Sequence, residues 1–299
     1  MEKYYSISPI FNQNGIGSGF FSNYRIVLEK LINFHETNHE GLIPYINWAN
    51  TTFVDGFDPI IEYGNIVGGD MKIDDTNNPF DLWFEQNNPY KNGTDIGNII
   101  VSSIDRTMII DHKKHYFDEP EVLKKQQTID RLYIKPKQYI LDKVDEIYEK
   151  EFKGHVVLGV MARGSEYNYW HGDIYGSFGV EPYIEHIKKI LNENPEITKL
   201  FIASDETDYI NAIHDSFPNS YFIPDVFRRT DETMEYINRV PCWMNVSKKR
   251  KNHCKLLGEE TIIQTKLLSK CNYLTGRMSG IIAGAVLWNE NIKNISIIN

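Results

Sequence analysis

Residues that could form a ligand site follow three apolar segments in the second half of the sequence. They are Arg163 and Glu166 after residues 155–162, Ser204 and Asp205 at the end of residues 199–204, and Arg277, Ser279 and Gly280 after residues 272–275. In an open α/β sheet the carboxyl ends of the strands form the edge at which ligands bind. The sequence therefore predicts an anion-binding site at that edge.

Two of these positions have residue types that favour a diphosphate. Arg163 would neutralise phosphate charge and form forked, charge-assisted hydrogen bonds. Ser279 is a natural N-cap for the apolar helix that follows it, and the free N–H groups of a helix N-terminus attract phosphate oxygens. A second interpretation of Arg163 stays open, because residues at strand ends also form ion pairs that serve only stability.

A glycine loop near the N-terminus lies between a predicted strand and a predicted helix. Gly15, Gly17 and Gly19 form the pattern GxGxG within "NGIGSGFFS", and such a loop can surround a phosphate or allow a turn near a ligand. A nicotinamide-cofactor site requires GxGxxG and an acidic residue after the second strand. A dehydrogenase is therefore an alternative of lower rank.

The elements that must position these residues alternate regularly from residue 155 onward. The predicted strands are 155–162, 199–204, 220–224, 272–275 and 294–298, and the predicted helices are 182–193, 207–216, 259–271 and 279–288. Strands that alternate with helices of this length indicate an α/β fold with parallel sheets covered by helices.

The first half of the chain has a similar start and a less regular continuation. A strand at 4–11, a helix from Phe20 with an apolar stripe at i, i+3, i+4 and i+7, and a strand at 41–49 are predicted. Residues 50–118 are rich in Asn, Asp, Gly and Pro and predict loops and short helices. Residues 119–152 predict helices broken near Pro136. We expect an N-terminal domain at 1–152, with this helical connector, and a C-terminal domain at 153–299.

Composition and charge narrow the classes of function. A net charge of −9 argues against nonspecific nucleic-acid binding. Three cysteines without a CxxC pair argue against a disulfide framework and for a reducing compartment. No basic and apolar leader and no run of about 18 apolar residues is found, so we expect a cytoplasmic protein. The basic tract 247–255 is expected to be a solvated loop or a peripheral contact with a membrane surface.

Three segments together resemble the motifs of the fucosyltransferase-like glycosyltransferases. They are "GVMARGSE", "LFIASDETDYINAI" and "LLSKCNYLTGRMSGIIAGAV", and the group includes α1,6-fucosyltransferases, nodulation-type enzymes and protein O-fucosyltransferases. The resemblance implies a GT-B fold, in which two Rossmann-like domains face a cleft and the C-terminal domain binds the nucleotide sugar. It also implies an inverting reaction that requires no metal ion and no cofactor.

The resemblance assigns roles to individual positions. Arg163 corresponds to the diphosphate-binding arginine, Ser204 and Asp205 to the pair that contacts nucleotide or ribose, and Ser279 and Gly280 to the helix start that contacts phosphate or ribose. Met161 and Gln264 stand where relatives have a histidine and an aspartate that help bind guanine. GDP-fucose is the favoured donor, and a UDP-sugar is an alternative because glutamine cannot accept two N–H bonds as a carboxylate does.

The predicted reaction is the attack of a glycan or glycolipid hydroxyl on the anomeric carbon of the donor sugar, as in polysaccharide biosynthesis. Glu166 and Asp173 are the first candidates for the residue that takes the hydroxyl proton, and His171 is the third. An ordinary loop histidine is the alternative interpretation of His171. No D-x-D pair that would hold a divalent ion occurs in the chain. A nucleotide- or sugar-binding protein without catalysis is the second class of function.

Overall fold

The structure is a computed structural model in which two units are distinguished. One consists of Met1–Gln138 and Trp243–Glu259, and the other of Tyr139–Cys242 and Glu260–Asn299. The residues it describes are 3–7, 20–37, 42–46, 48, 57–62, 65–71, 78–86, 99–101, 119–164, 179–228, 250, 252–289 and 292–298. The domain boundary expected at 152/153 falls inside the second unit.

The described residues of the first unit form a parallel sheet, an antiparallel pair of strands and the helices that accompany them. Its elements are β1 (Lys3–Ile7), α1 (Phe20–Glu36), β2 (Leu42–Ile46), β3 (Phe57–Glu62), β4 (Asn65–Met71), a 3-10 helix (Pro79–Leu82), β5 (Phe84–Gln86), β6 (Ile99–Val101), α2 (Pro120–Tyr133) and β7 (Ile134–Pro136). The parallel strands have the order β2-β1-β6, and β3 and β4 form an antiparallel pair. The apolar stripe predicted for α1 is confirmed, since Phe20, Tyr24 and Leu31 are buried.

The predicted break near Pro136 is confirmed, and a strand occupies it. β7 pairs antiparallel with β5, with Pro136 opposite Phe84. The helix α3 (Gln138–Ile147) and a π-helical turn (Tyr148–Phe152) then complete the connector. A proline cannot continue the preceding helix, and the neighbouring β5 provides the partner that allows an extended segment instead.

The second unit is an α/β unit with the strand order of a doubly wound sheet. Its further elements are β8 (Val157–Ala162), α4 (Glu181–Glu193), β9 (Lys199–Ser204), α5 (Thr207–Ser216), β10 (Ser220–Tyr221), α6 (His253–Ser269), β11 (Tyr273–Gly276), α7 (Gly280–Leu287) and β12 (Asn294–Ile297). The residues of α6 up to Glu259 belong to the first unit. Every pair of neighbours in the order β10-β9-β8-β11-β12 is parallel. Numbered along the chain within this sheet, the order is 3-2-1-4-5, and the direction of winding reverses between β8 and β11.

Helices cover both faces of this sheet, because its central strand is apolar on both sides. Leu158 and Val160 belong to a buried cluster with Tyr183 and Ile187 of α4 and with Ile210 and Ile213 of α5. On the other face, a Cβ atom added at Gly159 would lie 2.9 Å from Cys271 Sγ and 3.0 Å from Leu268, so the glycine allows α6 to approach closely. Among the helices that the structure describes, none is long and apolar enough to cross a membrane.

Candidate functional site

The strand ends at the reversal point place three charged residues side by side. Ala162, the last residue of β8, pairs with Ser204 of β9, and Met161 pairs with Gly276 of β11. Arg163, Asp205 and Arg277 are the residues that follow these three strands, each one position after its strand ends. Neighbouring strands lie about 4.8 Å apart, and ligands of open α/β sheets bind beyond the carboxyl ends at this reversal point.

Arg163 and Asp205 form an ion pair across the ends of β8 and β9. Arg163 Nη1 lies 3.0 Å from Asp205 Oδ2, and the two side chains are 22% and 21% exposed. Both carboxylate oxygens of Asp205 are buried atoms that accept no hydrogen bond from the described residues. The pair therefore neutralises charge while the carboxylate keeps capacity to accept hydrogen bonds. Arg163 thus forms an ion pair, as its second interpretation predicted. The pair lies on the β9 side of β8, and β11 lies on the other side of that strand.

Two further contacts hold the chain at residues 163 and 164. The backbone N–H of Arg163 donates to Tyr183 Oη over 2.9 Å, and the Tyr183 hydroxyl donates to the Arg163 carbonyl over 3.1 Å. At Gly164 an added Cβ atom would lie between 2.1 and 2.4 Å from the carboxylate atoms of Glu206. Only glycine leaves room for this buried carboxylate beside the chain.

Ser204 serves the turn between β9 and α5. Its hydroxyl oxygen accepts a hydrogen bond from the backbone N–H of Glu206 over 3.1 Å, and its side chain is buried. The acceptor is two residues before the donor, which is a local hydroxyl–backbone turn. The predicted contact of Ser204 with a nucleotide or ribose stays a prediction.

Gly276 and Arg277 form a second closely packed strand end. Gly276 has a φ of +145°, and an added Cβ atom would lie 2.2 Å from the carbonyl oxygen of Met161. The Arg277 side chain that follows is fully buried. Burial raises the pKa values of Tyr183 and Tyr209, and the positive charge of Arg277 lowers them in part. A second arginine therefore lies within electrostatic range of Tyr183, whose hydroxyl bonds to the Arg163 backbone.

The predicted N-cap at Ser279 is confirmed. The Ser279 side chain accepts a hydrogen bond from the backbone N–H of Ile282 over 3.4 Å, and its backbone is extended. Ser279 and Gly280 are half-buried, whereas residues 282–287 of α7 are buried. The N-terminus of α7 is therefore partly exposed, and it follows β11, the neighbour of the strand that ends before Arg163. The first N–H groups of a helix have no partner within the helix and are suited to an anion.

The two positions that depart from the motifs are buried. Met161 is 1% exposed and lies between β9 and β11 in the sheet, so its side chain presents almost no surface to a ligand in this conformation. Gln264 Nε2 donates to the carbonyl of Glu260 over 3.4 Å within α6. The predicted contacts of both residues with a nucleotide stay predictions.

The remaining predicted site residues lie outside the described residues. These are Glu166, His171 and Asp173, the glycines Gly15, Gly17 and Gly19, and residues 247–249 and 251 of the basic tract 247–255. Residues 253–255 of that tract begin α6. Within the described ranges no group of three or more His, Cys, Asp and Glu side chains could hold a metal ion.

Three residues at this edge have no role in the prediction from sequence. They are Glu206, Tyr183 and Tyr209. Arg277 was predicted among the strand-end residues of the site, because it follows its strand as Arg163 does. Tyr183 lies in the apolar stripe of α4, and nothing in a helical stripe distinguishes a core tyrosine from one whose hydroxyl bonds to a neighbouring strand end.

The second unit is a doubly wound parallel α/β sheet with charged residues at its reversal point, and the fold of the chain is similar to that of solved fucosyltransferases. No family model matches the chain, and no curated protein matches it in a sequence search. The fucosyltransferase NodZ from Bradyrhizobium has a TM-score of 0.53, is 15% identical, and matches over 97% of this chain and 93% of its own.

Two further solved structures have the same fold. NodZ α1,6-fucosyltransferase soaked with GDP-fucose has a TM-score of 0.51 at 16% identity, over 97% of this chain and 93% of that chain. POFUT1 in complex with GDP has a TM-score of 0.51 at 8% identity, over 100% of this chain and 98% of that chain. The resemblance and the fold class expected from the motifs are thereby confirmed at the level of the fold.

Proposed function

We propose that this chain is an inverting, metal-independent glycosyltransferase that moves a sugar from a nucleoside-diphosphate donor to a glycan or glycolipid hydroxyl. The proposal rests on one observation. Arg163 and the N-terminus of α7 follow two neighbouring strands, β8 and β11, at the reversal point of the sheet. Solved structures of the same fold with GDP or GDP-fucose support this choice of ligand class.

The donor diphosphate would lie between Arg163 and the first N–H groups of α7. A guanidinium has five N–H donors, so Arg163 can keep its ion pair with Asp205 and still bind a phosphate. Gly280 has no side chain to obstruct the approach of a phosphate to the N–H groups, and Ser279 caps the helix beside them. These groups would stabilise the negative charge that develops on the departing nucleoside diphosphate.

Asp205 would receive hydrogen bonds from the donor nucleoside. Its buried carboxylate oxygens have an ionic partner on one side and accept no hydrogen bond from the described residues. Buried polar atoms of native proteins nearly always have a hydrogen-bond partner. Ribose hydroxyls are suitable donors, and Ser204 lies directly before this carboxylate.

GDP is the favoured nucleotide and GDP-fucose the favoured donor. The overall match to fucosyltransferases supports this choice, and the residues at the expected guanine contacts weaken it. Met161 is buried and Gln264 donates to its own helix, so neither position provides the carboxylate that would accept two guanine N–H bonds. A UDP-sugar therefore remains the alternative donor.

The reaction requires one group that accepts the proton of the attacking hydroxyl. Glu166, Asp173 and His171, in the segment of sequence that follows Arg163, are the candidates for this base. The acceptor hydroxyl would attack the anomeric carbon from the side opposite to the departing diphosphate, and this geometry inverts the configuration.

The first experiment is a binding panel on the purified chain. GDP, UDP, CMP and ADP are titrated while the thermal unfolding midpoint is recorded, and stabilisation by GDP is expected. The Arg163→Ala variant is expected to bind that diphosphate about 10- to 100-fold more weakly. Arg131→Ala is the control, because Arg131 is exposed on α2 of the first unit. Stabilisation by none of the diphosphates, or unchanged binding by Arg163→Ala, would contradict the proposal.

A second assay separates the transferase from a binding protein of the same fold. The release of GDP from GDP-fucose, and of UDP from UDP-sugars, is measured with and without glycan acceptors. Donor binding together with the release of nucleoside diphosphate supports transfer. Binding that never leads to release identifies the alternative, a nucleotide-sugar-binding protein without catalysis.

A further inference from the structure

Tyr183 reaches from α4 to the strand end that carries Arg163. It is the third residue of α4, and its side chain is fully buried. Its hydroxyl accepts a hydrogen bond from the Arg163 N–H over 2.9 Å and donates one to the Arg163 carbonyl over 3.1 Å. One side chain therefore binds both polar backbone groups of a single residue.

The hydrogen bonds of Tyr183 lie directly beyond the last residue pair of β8 and β9. Ala162 and Ser204 form the last pair between β8 and β9, and Arg163 is the first residue beyond it. Backbone N–H and C=O groups near the protein interior require partners, and the phenol supplies both where the neighbouring strand no longer does. Tyr183 therefore fixes the backbone from which the Arg163 side chain extends.

Tyr183 is itself held firmly. Its ring packs edge-on against Tyr209 of α5 with centroids 5.9 Å apart and an interplanar angle of 84°. It also belongs to the buried cluster that contains Leu158, Val160 and Ile187. Burial raises the pKa of the Tyr183 hydroxyl above its ordinary value, so the group stays protonated and remains a donor to the Arg163 carbonyl at physiological pH.

The side chain of Arg163 is held from a second direction. Asp205 contacts the guanidinium over 3.0 Å, while Tyr183 holds the backbone of the same residue. An arginine has many rotamers, and ordering such a side chain on binding costs about 0.5–1.5 kcal/mol. Fixing both ends of the residue before the ligand arrives removes much of that cost.

We propose that Tyr183 is a positioning residue for Arg163: it fixes the backbone from which the guanidinium binds the diphosphate of the donor, and it does not touch the ligand. This inference rests on the proposed function, because it takes Arg163 to be the diphosphate-binding residue. Tyr183 then contributes to diphosphate affinity only through Arg163, and its contribution must vanish when the Arg163 side chain is absent.

The test is a double-mutant cycle on the full chain, with GDP as the probe and with UDP if the panel shows that UDP binds instead. Tyr183→Phe keeps the ring and removes both hydrogen bonds. We expect it to weaken diphosphate binding about tenfold. In the Arg163→Ala background the same change is expected to weaken binding by less than about twofold, because coupled residues are not additive.

Tyr273→Phe is the matched control. Tyr273 is a buried strand tyrosine whose hydroxyl donates to Glu196, and it pairs with Leu158 near the other end of β8. This variant also loses a tyrosine hydrogen bond but is expected to bind diphosphate as the wild-type protein does. Equal losses in Tyr183→Phe and Tyr273→Phe would show a general effect of stability and overturn the proposal.

The outcomes distinguish a failure of the proposed function from a failure of the proposed role of Tyr183. Unchanged binding by Arg163→Ala contradicts the proposed function, and the role of Tyr183 falls with it. Weakened binding by Arg163→Ala, with equal effects of Tyr183→Phe in both backgrounds, overturns only the positioning role. Should Tyr183→Phe not fold, Gly164→Ala is measured in the same cycle, because its Cβ atom would meet Glu206 and displace the chain beside Arg163. Unchanged affinity in a folded Gly164→Ala variant would then overturn the proposal.

Discussion

Arg163 Nη1 lies 3.0 Å from Asp205 Oδ2, and the two residues follow neighbouring strands that are paired up to their last residues. The ion pair is possible because Ala162 and Ser204 are in register, so that each strand ends at the same level. Arg163, the proposed diphosphate-binding residue, thus has a counter-ion within the protein. The same ion pair contributes to the stability of the sheet edge and to the proposed binding site.

Asp205→Asn is expected to lower the free energy of unfolding by about 1–2 kcal/mol, because it leaves a partly buried guanidinium without its counter-ion. The measurement is urea denaturation of the ligand-free chain. Asp215→Asn is the control, since Asp215 is exposed on α5 and its change is expected to stay within about 0.5 kcal/mol. Equal stabilities of the two variants would show that the pair does not hold Arg163.

Gly276→Ala is expected to destabilise the chain by about 3 kcal/mol or more. The residue has a φ of +145°, and the added Cβ atom would lie 2.2 Å from the Met161 carbonyl oxygen. Gly154→Ala is the matched control, because Gly154 has a φ of +83° with nothing within 4 Å of its added Cβ atom. Its cost is expected to be about 1–2 kcal/mol. Urea denaturation measures both, and equal costs would show that the close approach to β8 has no effect.

Arg277→Met is expected to lower the free energy of unfolding by about 3 kcal/mol. The side chain is fully buried, and Asp205 and Glu206 act on the same tyrosine, Tyr209, as Arg277 does. Removal of a buried cation leaves neighbouring carboxylates uncompensated. Thermal and urea denaturation are compared with those of Arg131→Met, an exposed arginine of α2, for which a change below about 0.5 kcal/mol is expected. A stable Arg277→Met variant would contradict a structural role of this charge.

Alkaline pH is expected to destabilise the fold through Cys271. Burial raises the pKa of this thiol above its ordinary value of 9.0. The folded protein therefore keeps the proton longer than the unfolded chain, so the stability is fully present below pH 9 and is lost as the pH rises. Unfolding midpoints from pH 7 to pH 10 should fall in wild type and fall less steeply in Cys271→Ala. Identical slopes would show that the thiol does not titrate on unfolding.

The catalytic assignment predicts a loss of turnover without a loss of binding. Among Glu166→Ala, Asp173→Ala and His171→Ala, the variant that lacks the base is expected to lose about 10²- to 10⁴-fold in turnover. Its affinity for the donor is expected to remain within about twofold of wild type, because the base acts on the acceptor hydroxyl. Donor affinity and nucleoside-diphosphate release are measured for each variant. Normal turnover in all three would place the base elsewhere.

The elements of the second unit were predictable because each depends on its own local sequence. The strand predicted at 199–204 and the helix predicted at 207–216 have those limits in the structure, and Ser279 caps its helix as predicted. Alternating or helical periodicity and capping chemistry act over a few residues. The motif resemblance predicted the fold on the same basis, through segments that follow single strands.

Only the tertiary structure decided which residues meet. The extended segment β7 exists because β5, about 50 residues earlier, pairs with it, and local pattern indicated only a break in a helix. The ion pair between Arg163 and Asp205 depends on the register of two strands, and the hydrogen bonds of Tyr183 depend on how α4 packs on the sheet. Sequence alone thus determined where the elements lie and which strand ends carry charge. Long-range packing determined the partners of those charges, because register and helix docking are set by the whole buried core at once.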